Sequence, residues 1–87
     1  MSNTWAVAMV MQGKHAKKGS NPYKEVEKDL SMEQAYMIAG MQIYRLTKEG
    51  LRLVRKEEAP SHSVCLESKQ IKARVRVKNL ETKGAKK

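Results

Sequence analysis

The sequence predicts a small α+β protein in which one helix packs across an antiparallel sheet, with the element order β-(β)-α-β-β. Three observations predict this fold: an apolar run near the N-terminus, a capped amphipathic helix in the middle, and later segments that alternate apolar and charged residues. Because strands do not alternate regularly with helices, the pattern favours a mixed fold over a parallel α/β sheet. The chain has 87 residues, which is enough for one small domain.

The first predicted strand covers residues 4–12, which read TWAVAMVMQ. Apolar residues occupy both alternating faces of this run. That pattern is typical of an inner strand covered on both sides, although it also fits a turn of buried helix. A polar loop follows over residues 13–22. Its cations, Lys14, Lys17 and Lys18, fit a basic finger at a hairpin tip, and the alternative is a flexible, solvated loop.

Residues 23–30 (YKEVEKDL) fit two structures. The apolar side chains of this segment have helical spacing, but its polar character also fits an edge strand that returns as a hairpin. We favour the strand, because a new helix begins directly after it. Ser31 and Gln34 have the spacing of a capping box, in which each side chain bonds the backbone of the other residue.

Residues 32–48 predict one amphipathic helix that ends before Gly50. Gly40, in its middle, is expected to allow close packing against a strand. The apolar residues at helical spacing form the predicted core face: Met32, Ala35, Tyr36, Ala39, Ile43 and Leu46.

A second apolar stripe on this helix consists of Met37, Met41 and Tyr44, and we term it the Met–Tyr stripe. A chain of this size is not expected to build a third layer over it. Methionine-rich exposed surfaces adapt to protein partners, so the stripe is a candidate docking surface. The alternative is that it wraps around the domain edge or contacts the C-terminal segment.

After the helix, the pattern predicts a short strand over residues 51–56. It also predicts a longer strand over residues 64–77, with a break near residues 67–69. In the last part of this segment, apolar residues alternate with Lys72, Arg74, Arg76 and Lys78, which we term the basic row. Residues 79–87 are polar and are expected to form a basic, disordered tail. The folded domain is therefore predicted to cover residues 1–78.

The net charge of +9 is concentrated near the C-terminus, since residues 69–87 carry eight basic residues and one acid, a net of +7. Outward residues on one strand lie roughly 6–7 Å apart. Such a row is costly by self-repulsion unless an anion meets it. We therefore expect the basic row, aided by Lys14, Lys17 and Lys18, to bind nucleic acid or an acidic protein surface. The alternative is an edge strand whose charge prevents aggregation.

No aromatic residue lies within the basic row, which favours backbone binding over base readout. Catalytic, metal and cofactor sites are not expected. His15 and His62 are isolated, His62 and Cys65 would supply only two metal ligands, and carboxylates such as Glu57 are expected to be solvated. The single cysteine excludes an internal disulfide and is expected to be a half-buried residue in a reducing compartment. With no signal-peptide or membrane-span pattern, we expect a cytoplasmic protein that does not bind membranes.

Residues 5–60 open on Trp5-Ala6, continue with a polar strand and a helix beginning near residues 33–35, and return through Gly50 into a short strand with arginines. In this pattern the segment resembles the small phage proteins that shut down host RNA polymerase in T-odd coliphages. Its element order is also similar to that of several small anti-CRISPR proteins. Residues 44–54 are similar to the small phycobilisome linkers.

The resemblance to the phage inhibitors implies that Arg52 and Arg55 contact the partner protein, in the host cytoplasm. The chain departs from that pattern in its longer loop at residues 13–22, in Glu57 where a basic residue is expected, and in residues 64–78, which have no counterpart. Three functions stay open: a nucleic-acid-binding protein, an inhibitor docked on RNA polymerase or a CRISPR or other defence complex, and a structural linker. An edge strand could also pair with a second copy of the chain.

Overall fold

A computed structural model of the protein describes residues 3–15, 23–58 and 62–80. Its elements are β1 (Trp5–Gly13), β2 (Lys24–Leu30), α1 (Met32–Lys48), β3 (Arg52–Glu57), β4 (His62–Glu67) and β5 (Ile71–Asn79). The strands form one antiparallel sheet in the order β2-β1-β5-β4-β3, and α1 lies across one face. The predicted α+β fold is confirmed, and the segment that fitted either a strand or a helix is a strand.

The break predicted near residues 67–69 separates two strands. Ser68 Oγ accepts hydrogen bonds from the backbone N–H groups of Gln70 (3.3 Å) and Ile71 (3.2 Å), and the Ser68 N–H donates to the Ile71 carbonyl (2.8 Å). These bonds close a tight turn, so that β4 and β5 pair as a hairpin.

The C-terminal end of β5 lies slightly beyond the predicted domain boundary at residue 78. The strand continues to Asn79, and the Leu80 N–H donates a hydrogen bond to the Thr4 carbonyl (2.8 Å). The remainder of the predicted tail, residues 81–87, lies outside the described residues.

The helix begins at the predicted capping box. Ser31 Oγ accepts a hydrogen bond from the Gln34 N–H (3.2 Å), and Gln34 Oε1 accepts one from the Ser31 N–H (3.0 Å). Two of the otherwise unpaired donors at the helix start are thereby satisfied. After the helix, Gly50 has φ +104°, a left-handed conformation that turns the chain into β3.

The core lies between α1 and the sheet. Ala35 and Ala39 are small enough to bring the helix close to the sheet, and both are buried together with Leu46. The predicted core face was wrong at Met32 and Tyr36, whose side chains remain 50% and 39% exposed. From the sheet, the buried members of the core cluster are Val7, Leu30, Leu66, Ala73, Val75 and Val77.

Two further expectations about packing were wrong. Gly40 does not approach a strand, because a Cβ atom placed on it would meet nothing within 4 Å. β1 is an inner strand, between β2 and β5, but among the described residues only its α1 side is covered. Val7 on that side is fully buried. On the other side Ala6 is only 9% exposed, whereas Ala8 and Val10 are half-buried. We term this uncovered side of the sheet the open face.

Candidate nucleic-acid interface

The basic row lies on the open face, along the central strand of the sheet. Ala73, Val75 and Val77 of β5 point into the core under α1. Because successive side chains of a strand point to opposite faces, the residues between them point away from the helix. The edge strands of the described sheet are β2 and β3. The alternative of an edge strand protected by charge is therefore wrong for this segment.

Short side chains flank the basic row on both neighbouring strands. On the β1 side, Ala8 pairs with Arg76 and Val10 pairs with Arg74. On the β4 side, Ser63 pairs with Arg76 and Cys65 pairs with Arg74. The long arginine side chains thus lie among small neighbours, and both are only partly exposed. The Nε atom of Arg76 is buried and has no hydrogen-bond partner among the described residues.

Glu57, at the end of β3, is an anion held against this surface. One of its carboxylate oxygens lies 3.2 Å from Arg74 Nη1 and the other 2.9 Å from Arg55 Nη2. The expectation that Glu57 is simply solvated was wrong, since its side chain is only 33% exposed. Partial burial lowers the pKa of Arg74, but Cys65, Tyr23 and Glu57 raise it by more, so the pKa ends above its ordinary value. Arg74 therefore keeps its charge.

An aromatic ring also lies on the basic row. Arg76 Cζ is 3.9 Å from the centroid of the Tyr23 ring, a cation–π contact. No aromatic residue lies within the row itself, but the fold brings Tyr23 against it from a segment distant in sequence. Tyr23 directly precedes β2, which pairs with β1, and β1 in turn pairs with β5, which carries Arg76.

A depression of about 620 Å³ lies on the open face beside these residues. Its apolar lining includes Val10 and Val54, with Cys65 between them on β4. Polar and charged side chains also line it: Gln12, Tyr23, Arg55, Glu67, Lys72 and Arg74. The sheet thus offers a shallow apolar floor with cations and one aromatic ring around it.

The predicted basic finger is only partly described. Lys14 lies near the Lys72 end of the basic row, where its Nζ is 3.4 Å from a Glu67 carboxylate oxygen. Gln12, two residues earlier, pairs with Lys72. Lys17 and Lys18 lie outside the described residues.

The residues predicted to contact a protein partner lie on two sides of the molecule. Arg52 pairs with Glu67, and Arg55 pairs with Cys65, so both belong to the strand that borders the open face. The Met–Tyr stripe lies on the outer side of α1, away from the sheet. Its members Met37, Met41 and Tyr44 are 61%, 59% and 62% exposed, and Lys48 Nζ lies 5.3 Å from the centroid of the Tyr44 ring.

Across residues 3–15, 23–58 and 62–80, no group of three or more His, Cys, Asp or Glu side chains could hold a metal ion. The helix in this part of the chain is neither long nor apolar enough to cross a membrane. Neither protein-family models, nor curated proteins, nor solved structures match the chain.

Proposed function

We propose that this protein is a non-enzymatic binding protein that holds nucleic acid on the open face, through phosphate contacts with the basic row. The observation that carries the proposal is the position of Lys72, Arg74, Arg76 and Lys78 on the central strand of an uncovered sheet face. Each phosphate contact releases counterions, so a row of cations gives salt-dependent affinity without sequence readout.

The position of β5 supports this function over a protective role for the charges. A protective charge belongs on an edge strand, where it prevents pairing with another sheet. β5 already has a hydrogen-bonded neighbour on each side, so its cations protect no free edge. Like charges at a spacing of roughly 6–7 Å repel one another, and an anionic ligand relieves that repulsion.

The proposal is tested by fluorescence anisotropy with labelled nucleic acid at about 50 to 200 mM salt. Four phosphate contacts predict a slope of log K against log salt of roughly −3 to −4. In the variant Arg76→Gln/Lys78→Gln, the slope should become shallower by about 2, because each removed phosphate contact contributes about 1.

The matched control is Arg45→Gln/Lys48→Gln, which removes the same charge from α1 on the other side of the sheet. The control should bind with the slope of the unmodified protein. If both variants lost affinity equally, overall charge and not the open face would explain binding. If no strand or duplex bound at about 50 mM salt, the proposed function would be wrong.

A second candidate function is docking on a host protein machine, such as RNA polymerase or a CRISPR effector. The exposed Met–Tyr stripe favours it, because flexible methionines on a helix surface can repack against a partner. Docking through Met37 and Met41 should survive moderate salt better than phosphate binding does. Binding to purified RNA polymerase should then be lost in Met37→Gln/Met41→Gln and kept in Arg76→Gln/Lys78→Gln.

A further inference from the structure

Resting on the proposed function, we infer that the nucleic acid bound by the open face is single-stranded. In this arrangement an unpaired base lies in the depression beside Tyr23, and the flanking phosphates lie on the basic row. The bases, and Tyr23 outside the basic row, thereby contribute to binding in addition to the phosphates.

The lining of the depression suits a base. Val10, Val54 and Cys65 give apolar surface, and Tyr23 gives an aromatic ring at the same site. The volume of about 620 Å³ lies within the range of roughly 300–1,000 Å³ that is usual for pockets holding small molecules. Every base has a π-face, so stacking on an aromatic ring tolerates any sequence.

The guanidinium groups around the depression suit the same ligand. Arg74 lines the depression and is held by Glu57, and Arg76 packs against one face of the Tyr23 ring. Planar guanidinium groups both stack on bases and pair with phosphates. A nucleotide in the depression would therefore meet an apolar surface under its base and cations next to its phosphates.

The width of the sheet keeps the bases of a duplex out of reach of this face, so that only its phosphates could be contacted. The major groove is about 12 Å wide and admits a helix or a two-stranded ribbon. Neighbouring strands lie roughly 4.8 Å apart, so five strands span about 19 Å, and the central β5 cannot enter the groove. In addition, the bases of a duplex are paired and stacked inside it, out of reach of a shallow depression.

The test compares three labelled probes of equal length, about 12 nucleotides: a single strand with bases, an abasic single strand, and a duplex. All three carry phosphates, but only the first can place a base beside Tyr23. We expect the strand with bases to bind at least about 5-fold more tightly than the abasic strand, the lower end of the range for one base–aromatic stack. DNA and RNA versions of the first probe show whether the protein prefers single-stranded DNA or single-stranded RNA.

Two variants at one position isolate the ring. Tyr23→Ala should lose about 5- to 150-fold in affinity for the strand with bases, with a much smaller loss for the abasic strand. Tyr23→Phe keeps the ring but loses the hydroxyl that bonds Arg74, so it should keep the preference for the strand with bases over the abasic strand. Thermal unfolding of both variants establishes that the sheet still forms.

The outcomes separate this inference from the proposed function. Equal affinity for the abasic strand and the strand with bases, or tighter binding of the duplex, would overturn the inference and leave phosphate binding in place. An equal loss on both single strands in Tyr23→Ala would show that Tyr23 acts only by supporting Arg76, and would also overturn it. Failure of all three probes to bind would overturn both conclusions.

Discussion

Glu57 is a carboxylate of the protein that pairs with two arginines of the proposed binding surface. Its carboxylate pairs with Arg74 at 3.2 Å and with Arg55 at 2.9 Å. A phosphate that approaches either arginine must therefore compete with an anion of the protein. The carboxylate relieves the repulsion among the cations in the free protein. It therefore reduces the favourable free energy of binding a polyanion.

Replacing Glu57 with glutamine should raise the affinity for nucleic acid by about 5-fold at low salt. The estimate follows from about 1 kcal/mol for unit charges roughly 4 Å apart in water. Anisotropy measures the change, and the salt slope should become steeper. The free energy of unfolding should fall by no more than about 1 kcal/mol, as for other surface ion pairs.

The matched control is Glu49→Gln, which makes the same charge change in the turn after α1. This variant should bind nucleic acid as the unmodified protein does. An equal gain in both variants would mean that net charge alone sets the affinity, with no particular role for the ion pairs of Glu57.

At the scale of the residue, the contact of Tyr23 with the basic row could not be predicted from the sequence. The sequence identified every cation of the basic row, because alternation within one strand is a local pattern. The contact between Tyr23 and Arg76 depends on the pairing of β2 with β1 and of β1 with β5. No pattern within a short window contains that pairing, so the aromatic part of the site was missed.

At the scale of the element, patterns of a few neighbouring residues correctly predicted where the helix begins and ends and where the C-terminal strand breaks. The capping box at Ser31 and the left-handed Gly50 gave the bounds of α1, since both act through hydrogen bonds and dihedral angles of nearby residues. The break near residue 68 was also predicted. The order of the strands in the sheet was not predicted, because it is determined by contacts between segments that are distant in sequence. That order is what places β5 at the centre of the sheet.

Gly40 offers a direct test of the helix as an element. Its position in the middle of α1 is exposed, and an added Cβ would meet nothing within 4 Å. Gly40→Ala should therefore stabilise the protein by about 0.5–1 kcal/mol, because glycine loses more backbone entropy in a helix than alanine does. Chemical denaturation should show a higher midpoint with an unchanged slope.

Gly50 is the matched control for that substitution. It also has free space around its Cα, but its φ of +104° is strained for any residue with a Cβ. Gly50→Ala should therefore destabilise the protein. If both substitutions changed the stability in the same direction, the backbone conformations assigned to the two glycines would be wrong.

At the scale of the whole molecule, the two exposed surfaces lie on opposite sides of one thin structure. The sheet separates the basic row from α1, and the Met–Tyr stripe lies on the far side of that helix. With only one helix to cover the sheet, the described part of the chain leaves both outer surfaces available. The two candidate functions therefore use different surfaces, and binding through one does not block the other.

The uneven charge of the molecule predicts opposite effects of salt on stability and on binding. The chain carries +9, so repulsion among cations opposes the compact state. Raising NaCl from about 20 to 300 mM shortens the Debye length from roughly 20 Å to 6 Å, close to the spacing along the basic row.

Thermal unfolding over that range should therefore show a rise in Tm of several degrees, since about 1 kcal/mol corresponds to roughly 4–8 °C for a domain of this size. Affinity for nucleic acid should fall over the same range. Arg76→Gln/Lys78→Gln should weaken both dependences, because the same cations produce them. A fall in Tm with added salt would instead mean that attractive pairs such as Lys14 with Glu67 outweigh the repulsion along β5.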